Sequence, residues 1–189
     1  MTININGATI QTSNSALSMT ANSITGLDIN SLNFPVQSNR PYFSTNGTNA
    51  AWQNMTSANW TIIIFNATNV NNGSCYSTST GSFTAPVSGL YYFEYSMYCQ
   101  KAGASPLATD YTHPVFIVNG SLNTRQAQHQ QPYRIRGRNN TNGNYSFDTQ
   151  INDIFYLAAG DYVQPYVYSS RDSQQWYPPY SQFGGFLIG

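Results

Sequence analysis

Residues able to do chemistry are sparse in this chain. Its seven carboxylates are Asp28, Glu94, Asp110, Asp148, Asp153, Asp161 and Asp172, joined by the histidines His113 and His129 and the cysteines Cys75 and Cys99. A glycosidase needs two carboxyl groups about 5 to 10 Å apart across a cleft, and Glu94 and Asp153 are the residues through which such a reading would be tested. The spacing favours structural roles instead: Asp161 sits in a Gly-Asp turn, and Asp148 and Asp153 share a strand-like run. His113 precedes a proline and His129 lies between glutamines, so a solvated or interface histidine is the expected state of each. No GxSxG, P-loop, GxGxxG or HExxH occurs. The cysteines lack the CxxC or Cys/His spacing of a zinc site, leaving two free thiols as the main expectation and one intrachain disulfide as the alternative. No catalytic, cofactor-binding or metal-ligating residue is assigned, and the chain is expected not to be an enzyme.

Two stretches suit binding. In RIRGR, Arg134, Arg136 and Arg138, with Arg125 nearby, concentrate most of the positive charge. Arginine forks match oxyanions bidentately, so a polyanion contact is one reading and a solvated hairpin paired with local acids is the other. Zero net charge and the shortness of the run exclude nucleic acid as a partner. WYPPY sets Trp176, Tyr177 and Tyr180 in a proline-stiffened loop, suited to stacking on a sugar ring or to packing at a subunit rim. About eight Asn-x-Ser/Thr triplets occur, among them Asn46, Asn59, Asn66 and Asn119, where composition alone predicts roughly four or five; with no export leader read at the start they are not taken as glycosylation sites.

The elements that must position these residues are strands. Charged residues are only 7% of the chain while aromatics reach 15%, a composition with high β propensity and unlike that of disordered chains. With so little charge to keep copies apart, a closed fold or a tight oligomer is expected. WTIIIFN over Trp60 to Asn66 reads as a strand buried on both faces, and Pro165 as an edge or bulge marker. In GSFTAPVSGLYYFEYSMY, residues 81–98, Tyr91, Phe93, Tyr95 and Met97, continued by Cys99, share one face, while Leu90, Tyr92, Glu94, Ser96 and Tyr98 share the other. Rings on both faces imply that both are covered. Residues 1–38 differ: isolated apolar positions, including Ile3, Ile5, Ile10, Leu17, Met19, Ile24 and Leu27, are too thin for a core, which suggests an arm that docks or trimerises before a head at 39–189. No export leader is read at the start, and no run approaches the length of a membrane helix.

The order of motifs G-S-F-T-A-P-V-S-G-L-Y-Y-F, F-I-V-N-G, L-A-A-G-D-Y-V and F-G-G-F-L-I-G, with I-I-I-F-N and N-N-G-S-C-Y upstream, resembles the C1q/TNF-like head domain over about residues 41 to 189. The resemblance implies an all-β, ten-stranded jelly-roll sandwich that forms a homotrimer, with Gly81 and Gly89 at tight turns and Pro86 fixing the turn between strands. Some such heads hold calcium through loop carboxylates, for which Asp110 is the conceivable ligand here; no other cofactor is implied. Phage and viral structural proteins use similar heads, and the arm leads us to expect a virion surface protein, assembled in the host cytoplasm. It would decorate or cement a capsid by docking its arm on the major capsid protein or another virion protein. The alternative is the receptor- or glycan-binding head of a tail or head fibre.

Overall fold

The computed structural model describes residues 2–5, 8–11, 40–103, 110–122, 133–134, 138–139 and 144–188. The chain divides into two compact units, Met1–Ser38 and Asn39–Gly189. The first contains β1 (Thr2–Ile5) and β2 (Ala8–Gln11), an antiparallel pair that sets Ile3 across from Ile10 and Ile5 across from Ala8. Leu17, Met19, Ile24 and Leu27 lie outside the described residues.

Among the described residues the second unit is all β apart from one 3-10 turn at Pro178–Tyr180. Its strands are β3 (Tyr42–Asn46), β4 (Gln53–Asn54), β5 (Asn59–Ile62), β6 (Ala67–Asn72), β7 (Tyr76–Ser77), β8 (Ser82–Thr84) and β9 (Gly89–Lys101), then β10 (Tyr111–Val118), β11 (Ser121–Leu122), β12 (Tyr133–Arg134), β13 (Arg138–Asn139), β14 (Tyr145–Leu157), β15 (Tyr162–Ser169), β16 (Gln174–Trp176) and β17 (Gln182–Leu187). Among the described residues they form two antiparallel sheets. The first runs β11-β10-β15-β8-β7, with β12 on β10, and the second β13-β14-β9-β17-β3-β6, with β16 and β4 attached beside β9.

The strict alternation of β9 decides the layering. Tyr91, Phe93, Tyr95, Met97 and Cys99 are each at most 1% exposed, and Phe93 lies within ring contact of Phe83 at 5.0 Å and of Phe116, Phe155 and Phe183 at about 6.1 Å. Aromatic side chains thus fill the space between the sheets, where each buries the most apolar area per position. Buried tyrosines also need an acceptor. The Tyr91 hydroxyl donates to the Val87 carbonyl at 2.7 Å, that of Tyr76 to Phe65 at 3.1 Å, and that of Tyr95 crosses the sandwich to Tyr166. Burial pushes the Tyr76 phenol up to about 12.

The turn motifs have local causes. Asn119 and Gly120 both take positive φ between β10 and β11, the conformation required by a two-residue hairpin of matching twist. The Asn119 amide donates to the Asp161 carboxylate at 2.9 Å, and Asp161 accepts from the Ala158 N–H at 2.8 Å, tying the hairpin to the Gly160–Asp161 turn. In β17, a Cβ at Gly185 would stand 2.5 Å from the Phe93 ring and 2.7 Å from the Tyr92 carbonyl, so the inward position admits only glycine.

Three expectations change, and the two free thiols are found as expected. Gly81 is a positive-φ turn residue, but Gly89 is the first residue of β9, paired with Leu157. WTIIIFN is not buried on both faces: Ile63 and Phe65 are in the core and Ile64 is 38% exposed. Pro165 lies in β15 between β10 and β8, neither at an edge nor at a register shift. It is tolerated because its carbonyl, accepting from the Ile63 N–H at 2.9 Å, points toward a side where the β8 pairing has already stopped at Val163. Cys75 and Cys99 are free and buried, and burial raises the Cys75 thiol to about 11.

Candidate functional site

The outer face of the second sheet carries the chemistry that the core does not use. Cross-strand register aligns Ile154, Tyr92, Phe186 and Tyr42 in one row, and Tyr156 and Leu90, followed by Ile188, in the next. Phe186 is 49% exposed, Ile154 52% and Tyr156 70%. This end is aliphatic and aromatic, and its side chains are exposed. The next row is Glu94, Gly184 and Ser44; the missing Gly184 side chain leaves a pit of about 200 Å³ between them. The Tyr92 hydroxyl donates to the Glu94 carboxylate at 3.2 Å, and burial followed by that charge raises the Tyr92 phenol.

At the other end of the same face the residue types change. Tyr98 of β9, Trp52 of the β3–β4 loop and Tyr177 and Tyr180 around the 3-10 turn form a closed ring cluster. Centroids are 5.6 Å apart for Trp52–Tyr98, 5.1 Å for Trp52–Tyr177, 5.1 Å for Tyr177–Tyr180 and 5.7 Å for Tyr98–Tyr180. Ser181 locks it, its hydroxyl donating to the Tyr177 carbonyl at 2.8 Å and accepting from the Tyr98 N–H at 3.1 Å. Gly47 fits against Pro178, where a Cβ would overlap the proline.

Sequence reasoning named Tyr177 and Tyr180 and missed Trp52 and Tyr98, which are distant in sequence and converge only through the pairing of β16 with β4 and β9. Trp176, named with them, does not belong: it is 5% exposed and packs edge-on to Phe65 at 5.5 Å. Alternation along β16 turns Trp176 inward between two residues that face out.

The arginine group is divided by the backbone. Arg134 stands opposite Tyr111 of β10, in the first sheet, and Arg138 opposite Ser146 of β14, in the second; Arg125 and Arg136 lie outside the described residues. Glu94 and Asp153 fall on opposite faces of the sheet, since Asn152 is the residue paired with Glu94, and form no acid/base pair. The Asp110 carboxylate is buried against two cations, Arg171 at 3.1 Å and Lys101 at 3.8 Å, a setting unlike that of a calcium ligand. Among the described residues no three His, Cys, Asp or Glu side chains group closely enough to hold a metal, and no helix is long and apolar enough to cross a membrane.

The sandwich is similar to solved structures. The globular domain of zebrafish complement 1qA protein matches with a TM-score of 0.50 at 16% identity, over 79% of this chain and 98% of that one. Murine APRIL matches with a TM-score of 0.49 at 10% identity, over 79% and 99%. No curated protein matches the chain. C1q and TNF-like domains are in general non-enzymatic binding modules that self-associate into trimers. Residues 47–188 match the C1q domain, a span running from the end of β3 through β17 and including every long strand of the sandwich, and on that match the chain belongs to the C1q family.

Proposed function

We propose that the protein is a non-enzymatic homotrimer that decorates the surface of a virion, its head projecting outward and its first 38 residues docked on coat subunits. The observation that carries self-association is the apolar end of the outer face. Tyr42, Leu90, Phe186 and Ile188 are between 39% and 49% exposed and stand beside the still more exposed Ile154 and Tyr156. Burying such rows is favourable at roughly 25 cal/mol per Å², and a contiguous apolar patch of this kind marks an interaction surface. In a cyclic trimer each copy would cover its neighbour's patch.

Support for docking comes from the first unit. A two-stranded ribbon such as β1–β2 is marginal by itself in water, and its aligned apolar positions, Ile3 with Ile10 and Ile5 with Ala8, suit pairing with a larger partner. Three weak arms on one trimer would bind a shell of repeated subunits with an avidity no single arm has. Light scattering on the purified chain tests the trimer. Antibody labelling of intact virions tests the location: label over the capsid is expected, and label confined to a tail or absent from particles would overturn decoration.

A second reading, the recognition head of a fibre, is favoured by the ring cluster at the opposite end of the outer face.

A further inference from the structure

We propose that the ring cluster, together with the amide row beside it, is a binding platform for a neutral oligosaccharide. The inference deepens the reading of the head as a binding module and is independent of where on a virion it stands. Its geometry has two parallel rows. Trp52, Tyr177 and Tyr98 lie side by side, joined by ring contacts and by the Tyr177 N–H donating to the Tyr98 carbonyl at 2.8 Å, with Tyr180 projecting over them at 72% exposure. Two residues along the same strands, the next row consists of Asn54, Gln175 and Gln100. The Gln100 amide donates to the Gln175 oxygen at 2.7 Å and the Gln175 amide to the Asn54 oxygen at 2.8 Å. The relay runs in one direction and ends on the oxygen of the exposed Asn54, which leaves that residue's amino group to serve as a donor to a ligand. Beyond Asn54 and Gln175 lies a polar cavity of about 370 Å³ whose wall includes Asp172 and Ser173.

Sugar rings have this duality. Their C–H faces stack on aromatic rings, and their hydroxyls, donor and acceptor at once, pair with amides and a carboxylate. The rows are about 7 Å apart by strand geometry, close to the width of one pyranose, so one unit would stack while its hydroxyls reach the amides. The class is neutral because no side chain of either row is charged and Asp172 would repel an acidic sugar. The nearest cations, Lys101 and Arg171, are both held by Asp110.

The test is affinity electrophoresis of the full chain in gels containing mannan, dextran, galactan or soluble starch, with chitohexaose titrated in solution and heparin as the anionic probe. At least one neutral probe should bind. Trp52→Ala and the exposed Tyr180→Ser should each weaken it tenfold or more, Asn54→Ala should weaken it severalfold, and Leu122→Ser, at an exposed position of β11 in the other sheet, should leave it unchanged. The inference is overturned if all neutral probes fail, if heparin alone binds, or if Trp52→Ala and Tyr180→Ser change the oligomeric mass and not sugar affinity, which would assign the rings to contact between copies. A monomer that binds sugar would sink the trimer and keep this site; a trimer that binds none would do the reverse.

Discussion

The two ends of one sheet face share strands β9 and β17 and differ in what those strands present. At the Leu90 end the side chains are aliphatic or aromatic, and among the described residues they are linked by one ring contact, Tyr92–Phe186 at 5.3 Å, and one side-chain hydrogen bond, Tyr92–Glu94. At the Tyr98 end the rings touch one another, a serine fixes their backbone, and amides beside them are chained together. Exposed apolar rows with few polar groups among them suit a partner that covers them with apolar surface of its own, such as another copy. A cluster already ordered by its own contacts suits a small polar ligand, because little side-chain entropy is left to lose on binding.

Breaking the first end should have the largest effect. Phe186→Asp places a charge among Tyr92, Tyr42 and Ile188, and the cost to self-association is expected to exceed about 2 kcal/mol, roughly thirtyfold. Light scattering should then show the 20.9 kDa of one chain, with the Trp52 end intact by near-ultraviolet circular dichroism. Gly185→Ala acts beneath both ends. Its Cβ meets Phe93 and the Tyr92 carbonyl, and the overpacking should lower unfolding free energy by about 1 to 3 kcal/mol in a denaturant titration. An equal fall in sugar binding and in mass would show that the ends share one rigid sheet. Ser181→Ala should sharpen the contrast by loosening only the ring end: losing two hydrogen bonds there costs about 1 kcal/mol for each, and proteolysis should rise near Tyr177 while the mass stays constant.

The smallest effect lies in the other sheet. The His113 ring lies tilted against Trp60 at 5.9 Å, its buried Nε2 has no hydrogen-bond partner among the described residues, and burial holds its pKa below the ordinary 6.5. The folded state therefore prefers the neutral ring, and the unfolded chain takes up the proton first as pH falls. This contribution to stability is complete above 6.5 and is lost as pH drops through the folded pKa. The thermal midpoint should decline slightly from about pH 7 to about pH 5, and His113→Phe should flatten that decline. A decline that persists in His113→Phe would assign the dependence to other groups.

Much of the fold was legible because its signals are local. Alternation in residues 89–101 put Tyr91, Phe93 and Tyr95 on one face, which the structure buries, and Asn119–Gly120 and Gly160–Asp161 are turns whose dihedral demands are visible in the residue types. Pro165 misled because its missing donor matters only on the side where a neighbour needs it, and that depends on where β8 stops. WTIIIFN misled because an apolar run does not reveal that one of its positions faces out.

By itself, then, the sequence determined an all-β head, the division of β9 into two faces and the turns at Asn119–Gly120 and Gly160–Asp161, since each follows from the period of a strand or the φ demanded of one or two residues. Tertiary structure alone decided that Trp176 leaves its neighbours for the core, that Arg134 and Arg138 are divided between two sheets, and that Trp52 and Tyr98 join Tyr177 and Tyr180. Those outcomes depend on which strands pair and in what register, and pairing between segments as distant as β4 and β16 is set by the packing of the whole sandwich.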